Sequence, residues 1–237
     1  MSAAWWRSQH NRHHATPQKL QHDVDLDTLP LVAFHSAIAK KVKKHQTMTK
    51  AWISLQAFLF VPLTTFLVSI GWQFFLHPRH IARKGLVTEA LALAIRYYFI
   101  FGVILKDFSL PAMIALYCAY DWIGAMYIFV NFSVSHTHKP ALDADQHVTW
   151  VHYASEHTTN VTPSWWMNWF MAYLNFQIEH HLFPCMPQFR HALIAPRVKK
   201  LFKDHGLTYD VRPYTVCLGA TLKNLNEVGN DVSHSTK

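Results

Sequence analysis

The sequence predicts an all-α membrane protein, and three observations lead to this fold class. First, 51% of the 237 residues are hydrophobic and only 15% are charged, the reverse of the balance found in disordered chains. Second, residues 51–76, 86–105 and 110–135 are apolar stretches at least as long as the roughly 20 residues that cross a hydrocarbon core. Third, the net charge of +8 lies beside these stretches, which indicates a membrane surface and argues against nucleic-acid binding.

The first apolar stretch, residues 51–76, is expected to lie in the membrane plane or to re-enter on one side. Positive residues are typical of the cytoplasmic side of a membrane segment, and here they lie at both ends of the same stretch. Pro62 near its middle favours a break or a kink. The basic residues before and after the stretch are Lys40, Lys41, Lys43, Lys44, Lys50, Arg79, Arg83 and Lys84.

The other two stretches, residues 86–105 and 110–135, are predicted to be two membrane spans. Residues 106–109 between them carry one lysine and one aspartate, so this loop can lie on the far side and both chain ends are cytoplasmic. An unpaired Arg96 in the first span costs roughly 2.5–3.5 kcal/mol. We therefore expect Arg96 to meet Asp121 of the second span inside the bundle.

The C-terminal part is expected to form a helical cap on the cytoplasmic membrane face. Residues 187–228 mix basic and apolar side chains, which is typical of an amphipathic helix at a membrane surface. Residues 229–237 are expected to be a disordered tail.

Two histidine clusters carry most of the functional signal. The chain has 18 histidines, more than its 14 acidic residues. Within each cluster the positions are spaced i, i+3, i+4, so they share one face of a helix with neighbouring Cβ atoms about 5–6 Å apart. Imidazoles on one face can converge on a metal ion, and the clusters flank two spans that return the chain to one side. The clusters are His10, His13 and His14, and Gln177, His180 and His181.

The residues around these clusters narrow the choice of metal. Cys185 follows His181 closely but has no Cys-x-x-Cys partner, which argues against a structural zinc ribbon. No His-Glu-x-x-His motif of a zinc peptidase occurs. Imidazole-rich sites suit iron, copper, zinc or nickel, and a membrane site with many histidines and few carboxylates favours iron that handles oxygen.

At this point the motifs resemble a known family. His-x-x-His-His after a Trp-Trp pair, and Gln-Ile-Glu-His-His-Leu-Phe-Pro from Gln177 to Pro184, resemble the second and third histidine boxes of membrane fatty acid desaturases. Glutamine in place of histidine at the start of the third box is similar to the front-end, cytochrome b5-dependent subgroup with delta-5 or delta-6 specificity. The resemblance extends from about residue 2 to about residue 228, and it implies part of a di-iron helical bundle.

The chain departs from the family pattern in one respect. The first histidine box of the family, a His-Asp-x-x-x-His type, and the cytochrome b5 domain with its His-Pro-Gly-Gly haem site do not occur in this sequence. We therefore expect residues 1–228 to be the C-terminal part of a desaturase domain. We also expect this chain to be inactive when it is expressed alone.

The resemblance further implies the chemistry and the site residues. Two irons would activate dioxygen to remove hydrogens from an acyl chain in an apolar tunnel, with electrons from cytochrome b5 haem and its reductase. The membrane would be the endoplasmic reticulum, with the boxes on its cytoplasmic side. Gln177 is the candidate catalytic residue, and Asp23, Asp25 and Asp27 could hold ligand histidines by their second N–H. The candidate metal ligands are His10, His13, His14, His180, His181 and, as a further ligand preferred over His138, His136.

Several alternatives stay open from the sequence. The substrate could be a fatty acyl-CoA or a phospholipid, and a delta-8 sphingolipid desaturase or a lipid hydroxylase would share the same scaffold. A non-catalytic membrane partner protein is the alternative from another class. The other histidines match no box and are expected to be solvated or interfacial: His22, His35, His45, His77, His80, His147, His191, His205 and His234.

Overall fold

The computed structural model describes residues 2–42 and 45–234, so Lys43, Lys44 and the last three residues of the predicted tail lie outside it. The described part is mostly helical. Its helices are α1 Ala3–Ala15, α2 Ser36–Ala39, α3 Thr47–Ser54, α4 Gln56–Lys84, α5 Val87–Ile104, α6 Leu110–Ser133, α7 Trp150–Glu156, α8 Trp165–Phe170, α9 Gln177–Leu182, α10 His191–Asp204 and α11 Tyr214–His234.

The strands are short and form two small sheets. β1 (Asp27–Thr28) pairs antiparallel with β2 (Val32–Ala33), and β3 (Asn160–Val161) pairs in parallel with β4 (Val211–Arg212). A 3₁₀ turn, Gln188–Arg190, precedes α10. The first sheet is a local hairpin, whereas the second joins segments about 50 residues apart.

Three helices, α4, α5 and α6, are long and apolar enough to cross a membrane. Their lengths are 29, 18 and 24 residues, and about 20 apolar residues suffice. The protein is therefore an integral membrane protein, as the sequence predicts. The first apolar stretch differs from its expected bounds, since its helix continues through Arg79, Arg83 and Lys84. Its in-plane placement stays a prediction.

Pro62 does not break α4, so of the break or kink expected at this proline the break does not occur. The helix passes the proline in a π-helical turn, Phe60–Thr64, in which the N–H of Thr65 bonds the carbonyl of Phe60. A π-helical turn shifts the hydrogen bonds by one residue and so accommodates the missing N–H of proline. The indole Nε1 of Trp122 in α6 donates to the Pro62 carbonyl at 2.6 Å.

Gln73 joins the polar residues of the apolar bundle. Its side chain donates to Asp121 and accepts from Arg96 at 3.2 Å and from Tyr117 at 2.8 Å. Ser69 also donates to Asp121, at 3.0 Å. Arg96 and Asp121 are thus linked through an amide, which corrects the expected direct pairing. The neutral bridge bonds one oxygen of the Asp121 carboxylate and the Arg96 side chain without direct contact between the two charges.

The cap over the helical bundle is built on α11. The Gln56 side chain pairs with both backbone groups of Ala33, at 2.9 and 3.0 Å, and donates to the carbonyl of Leu225 at 2.9 Å. α11 packs closely on α3, because a Cβ at Gly229 would lie 2.8 Å from the carbonyl oxygen of Ile53. The N-terminal end of α4, β2 and the C-terminal helix are therefore one packed unit.

The predicted disordered tail is wrong for residues 229–234. α11 continues to His234, and Val232 is buried with Val228 in the core that α11 forms with Ile53. Apolar residues four apart lie on one face of the helix. Burial of this face explains why the chain stays helical beyond residue 228.

A separate core holds α9, the helix of the third histidine box. Ile178 and Leu182 of α9 pack against Ala154 of α7 and against Val198 and Phe202 of α10. This packing fixes one face of α9 and directs its other face, with the two histidines, towards α1.

Candidate metal centre

α1 presents the first histidine cluster on one face. The helix begins after Ser2, whose Oγ accepts the N–H of Trp5 at 3.1 Å and so caps it. His10, His13 and His14 then project from one side, with His13 and His14 buried. Trp6 stacks on the ring of His10 at 4.9 Å.

His10, His14 and His180 form what we call the first trio. The Nε2 of His14 lies 3.0 Å from that of His10 and 3.1 Å from that of His180. The remaining pair, His10 and His180, is 3.4 Å apart. His180 therefore meets two residues of α1 that precede it by 166 and 170 positions.

His13, His136 and His181 form the second trio. The Nε2 atoms of His136 and His181 are 3.1 Å apart, and one nitrogen from each of the three rings lies within 4.8 Å of the others. Gln177 places its Oε1 3.3 Å from the Nε2 of His136. Each trio thus combines one residue of α9 with residues of α1, and the second adds a residue after α6.

The geometry of the first trio fits a metal ion, and the nitrogens of the second lie close enough together to hold one. An ion with metal–nitrogen distances of about 2.0–2.1 Å separates neighbouring ligand nitrogens by roughly 3 Å or a little more. The 3.0–3.4 Å separations in the first trio agree with this value. Three ring nitrogens aimed at one point cannot all hydrogen-bond one another, so a cation between them satisfies what the protein leaves unpaired.

Burial keeps most of these imidazoles neutral, which is the form that binds metal. It lowers the pKa of His10 to about 4, aided by the charge of His13, and that of His180 to about 3, aided by the charge of His10. Burial likewise lowers the pKa of His14, His136 and His181, each of which also faces other histidines.

His13 differs because carboxylates lie behind it. Burial by itself lowers its pKa, but the charge and hydrogen bond of Asp23 and the charge of Asp25 raise it to about 9. The Nδ1 of His13 is 3.0 Å from both oxygens of Asp23 and 3.6 Å from Asp25. This is the carboxylate contact predicted for Asp23, and it occupies Nδ1 so that Nε2 is the nitrogen from which a metal ion would displace the proton. The side chain of Asp27 lies outside the described residues.

All six predicted histidine ligands and Gln177 are brought together, whereas His138 is not. The Nε2 of His138 lies 3.5 Å from Thr159, and burial together with the charges of Arg212 and Lys139 lowers its pKa to about 4. The structure therefore places His136, and not His138, beside the other predicted ligands, while the role of His136 as a ligand stays a prediction. Metal binding by the six histidines stays a prediction.

The sequence pattern missed the residues that fix α9. Asn160 donates to Glu179 at 2.8 Å and accepts the N–H of Ile178 at 2.8 Å. Tyr209 donates to the other oxygen of Glu179 at 2.7 Å. Burial raises the pKa of Glu179 despite these bonds. The only hint in the sequence was the position of Glu179 beside His180, where a carboxylate is an unexpected buried group.

Two histidines expected at the surface are fully buried, which corrects that expectation. His77 accepts the N–H of Ser2 at 2.7 Å. The ring of His191 lies 5.8 Å from that of His180, and burial lowers its pKa against the opposing effect of the Phe183 backbone. Their positions depend on contacts between distant helices, for which the sequence pattern gives no signal.

An apolar cavity of about 220 Å³ adjoins both trios. Five trio histidines line it at one side, and the α4 residues Phe60, Val68 and Trp72 line it further along, with Phe129 and Phe132 of α6. The Trp72 and Phe129 rings, 5.0 Å apart, separate it from a second cavity, of about 240 Å³, which contains the polar residues around Gln73.

Comparisons with known proteins agree with the motifs. The sequence model of the family described as Fatty acid desaturase matches residues 1–213. An acyl-lipid (8-3)-desaturase of Rebecca salina is 58% identical over 230 residues, covering 97% of this chain and 53% of the relative. A protein of the same name from Thraustochytrium sp. is 43% identical over 239 residues, covering 100% of this chain and 54% of the relative.

Human fatty acid desaturase 3 is more distant, at 29% identity over 230 residues, or 97% of this chain and 51% of the relative. The chain spans about half the length of the curated relatives it matches. No solved structure matches it. With a family model that covers most of its length and with these relatives, the chain belongs to the fatty acid desaturase family.

Proposed function

We propose that this chain supplies the second and third histidine boxes of a front-end acyl desaturase. Such an enzyme inserts a double bond between an existing one and the carboxyl end of the acyl chain. One observation carries the proposal: α1 and α9, far apart in sequence, bring their histidines together in two trios beside an apolar cavity.

The histidines of the two trios would hold two iron ions, whose chemistry when bound is the dioxygen-dependent removal of hydrogens from the acyl chain. Other residues of this chain hold and orient the ligand rings. Asp23 fixes the ring of His13, and Gln177 stands beside His136 where its amide can orient that ring or a water molecule. The apolar walls exclude water from the site.

The cavity favours an acyl chain as substrate. Half of the residues that line it beyond the histidines are aromatic or aliphatic, and most of the surface that faces the cavity is apolar. A hydrocarbon chain gains about 25 cal/mol per Å² of apolar surface removed from water. We propose a lipid-bound acyl chain, since two relatives are named acyl-lipid (8-3)-desaturase.

The electron donor would be reduced cytochrome b5, as the front-end resemblance implies. A basic surface on α10 supports an acidic partner: its exposed residues include Arg197, Lys199, Lys200 and Lys203. Opposite charges on two partners speed their encounter and fix its orientation.

The topology proposed from the sequence has the boxes on the cytoplasmic face of the endoplasmic reticulum. Three helices that could each span lie between α1 and α9, yet their histidines meet. If the centre lies at one face of the membrane, an even number of complete crossings joins the two boxes. This supports two spans and one helix that does not cross, of which α4 is the candidate from its flanking charges.

The experiment uses a chimera in which this chain replaces the matching 230 residues of the Rebecca salina desaturase. Yeast expressing the chimera and fed a polyunsaturated fatty acid should make a new double bond, detected by gas chromatography with mass spectrometry. The chain expressed alone should make none. A chimera with His180→Ala and His181→Ala serves as the inactive control.

The chemical identity of the lipid product also distinguishes the alternative functions. A hydroxylated fatty acid would indicate a hydroxylase, and altered long-chain bases would indicate a sphingolipid desaturase. A chimera that folds and inserts but yields no product would contradict the proposed function.

A further inference from the structure

Gln18 lies where two loops of the metal centre cross. One loop leaves α1 after His13, and the other begins at His136 after α6. Leu142 of the second loop donates its N–H to the carbonyl of Gln18 at 2.9 Å, next to an isolated parallel bridge between Lys19 and Leu142. Along the chain, this contact follows His13 by five residues and His136 by six.

The contacts of Gln18 reach the supports of both histidines. Its backbone N–H donates to Asp23 at 2.7 Å, and Asp23 holds the Nδ1 of His13. Its side-chain Nε2 donates to the carbonyl of His136 at 2.5 Å and to that of Lys139 at 3.1 Å. One residue thus links the carboxylate behind one ring to the backbone that carries the other ring.

The backbone of Gln18 is strained, which sets it apart from an ordinary loop residue. Its φ is 60°, in the left-handed region that non-glycine residues seldom adopt. Such a conformation persists when the surroundings over-determine it, and it clusters at functional sites. Gln18 is buried, with 2% of its surface exposed.

Gln21 in the same loop supplies an internal comparison. It has the same backbone strain, with φ of 67°, but it is exposed. The two glutamines share residue type, loop and backbone region and differ in burial and in contact with the metal centre.

We propose that Gln18 is a positioning residue of the second trio, holding His13 and His136 at the separation at which both bind one metal ion. This inference rests on the proposed function, because it requires that the trio binds metal. A polar partner behind a metal ligand fixes the ring in its binding orientation, and loss of such a partner typically lowers metal affinity or activity about 10- to 100-fold.

The test uses the full chain, purified in detergent and titrated with Co²⁺ as the probe for imidazole sites. Gln18→Gly removes the side chain and relieves the strain, while the backbone N–H that bonds Asp23 remains. One class of Co²⁺ sites should weaken about 10- to 100-fold, and the visible absorption of the Co²⁺ bound there should shift. Gln21→Gly is the matched control and should bind Co²⁺ as the unmodified chain does.

Gln18→Glu provides a second variant that keeps the side-chain length but cannot donate to the two carbonyls when ionised. It should weaken the same class of sites, so the test does not depend on the folding of the glycine variant. If the unmodified chain binds Co²⁺ and both Gln18 variants bind it with equal affinity and the same spectrum, the inference is overturned while the metal centre stands. If the unmodified chain binds no Co²⁺, the proposed metal centre itself fails.

Discussion

The two histidine trios have the same ligand type, but they differ in what lies behind their rings. In the second trio the Nδ1 of His13 meets Asp23 at 3.0 Å, and the Nδ1 of His136 donates to the carbonyl of His157 at 3.2 Å. In the first trio, Nδ1 has no hydrogen-bond partner among the described residues in any of the three rings: His10, His14 and His180.

This difference shows in which trio hydrogen bonds from this chain fix the orientation of the ligand rings. A hydrogen bond to the second ring nitrogen fixes both the tautomer and the ring orientation of a ligand histidine. Two rings of the second trio have that support. The first trio is held mainly by packing, for example by the stacking of Trp6 on His10 and of His14 on His181 at 4.2 Å. We therefore expect the second trio to bind metal more tightly.

The largest expected effect comes from removing a ligand outright. His181→Ala in the chimera should lower product formation by more than the roughly 10- to 100-fold that loss of a supporting partner costs, because the ring belongs to the second trio and stacks on the first. His138→Ala is the control, since His138 belongs to neither trio. Equal losses in the two variants, measured as product per unit of protein, would contradict the assignment.

Asp23→Asn tests whether the carboxylate behind His13 strengthens metal binding by the second trio. The substitution keeps the size of the side chain but removes the charge that holds His13, so the second trio should lose about 10- to 100-fold in metal affinity. The first trio should be unchanged. Co²⁺ titration reports both classes of site, and Asp145→Asn, in an exposed loop, is the control. Equal weakening of both classes would show that the trios are not separately supported.

The two trios should release their metal ions at different rates. When a chelator is added to the Co²⁺-loaded chain, the first trio should lose its ion faster, by about tenfold, the lower end of the effect of a supporting partner. Stopped-flow absorbance would follow the release in two phases, and Asp23→Asn should bring the two rates together. A single phase in the unmodified chain would remove the distinction between the trios.

The smallest effect is expected at His191. Its buried ring lies 5.8 Å from His180, and the polar group that interacts with it is the backbone of Phe183. His191→Phe keeps a ring in the space, so the affinity of the first trio should change by less than about tenfold, below the usual effect of a supporting partner. A larger loss in Co²⁺ titration would identify His191 as a support of His180 and narrow the difference between the trios.

Much of the candidate site could be predicted because its signal is local. The spacing i, i+3, i+4 determines that His10, His13 and His14 share a face once α1 forms, and the same holds for the third box on α9. For the further ligand after α6, the sequence allowed only a preference for His136 over His138. The fold separates them, since α6 ends at Ser133 and the loop that follows sends one ring to the centre and the other towards Thr159.

The errors involve contacts between residues far apart in sequence. Pro62 stays within α4 because a π-helical turn accommodates it, and Trp122 of α6 bonds its carbonyl. Arg96 and Asp121 were the right groups, but Gln73 between them was not foreseen. Likewise, nothing in the pattern around Gln18 reveals that its amide reaches a carbonyl 118 positions away.

Hydropathy, helical spacing and motif order are properties of short segments, so they were enough to predict the apolar helices, the two histidine faces and the family. Which histidines share a trio, which rings have a partner behind them and where the apolar cavity ends could be seen only in the folded protein. These depend on how α1, α4, α6 and α9 pack, and packing is set by many weak contacts between distant residues, none of which has a pattern of its own in the sequence.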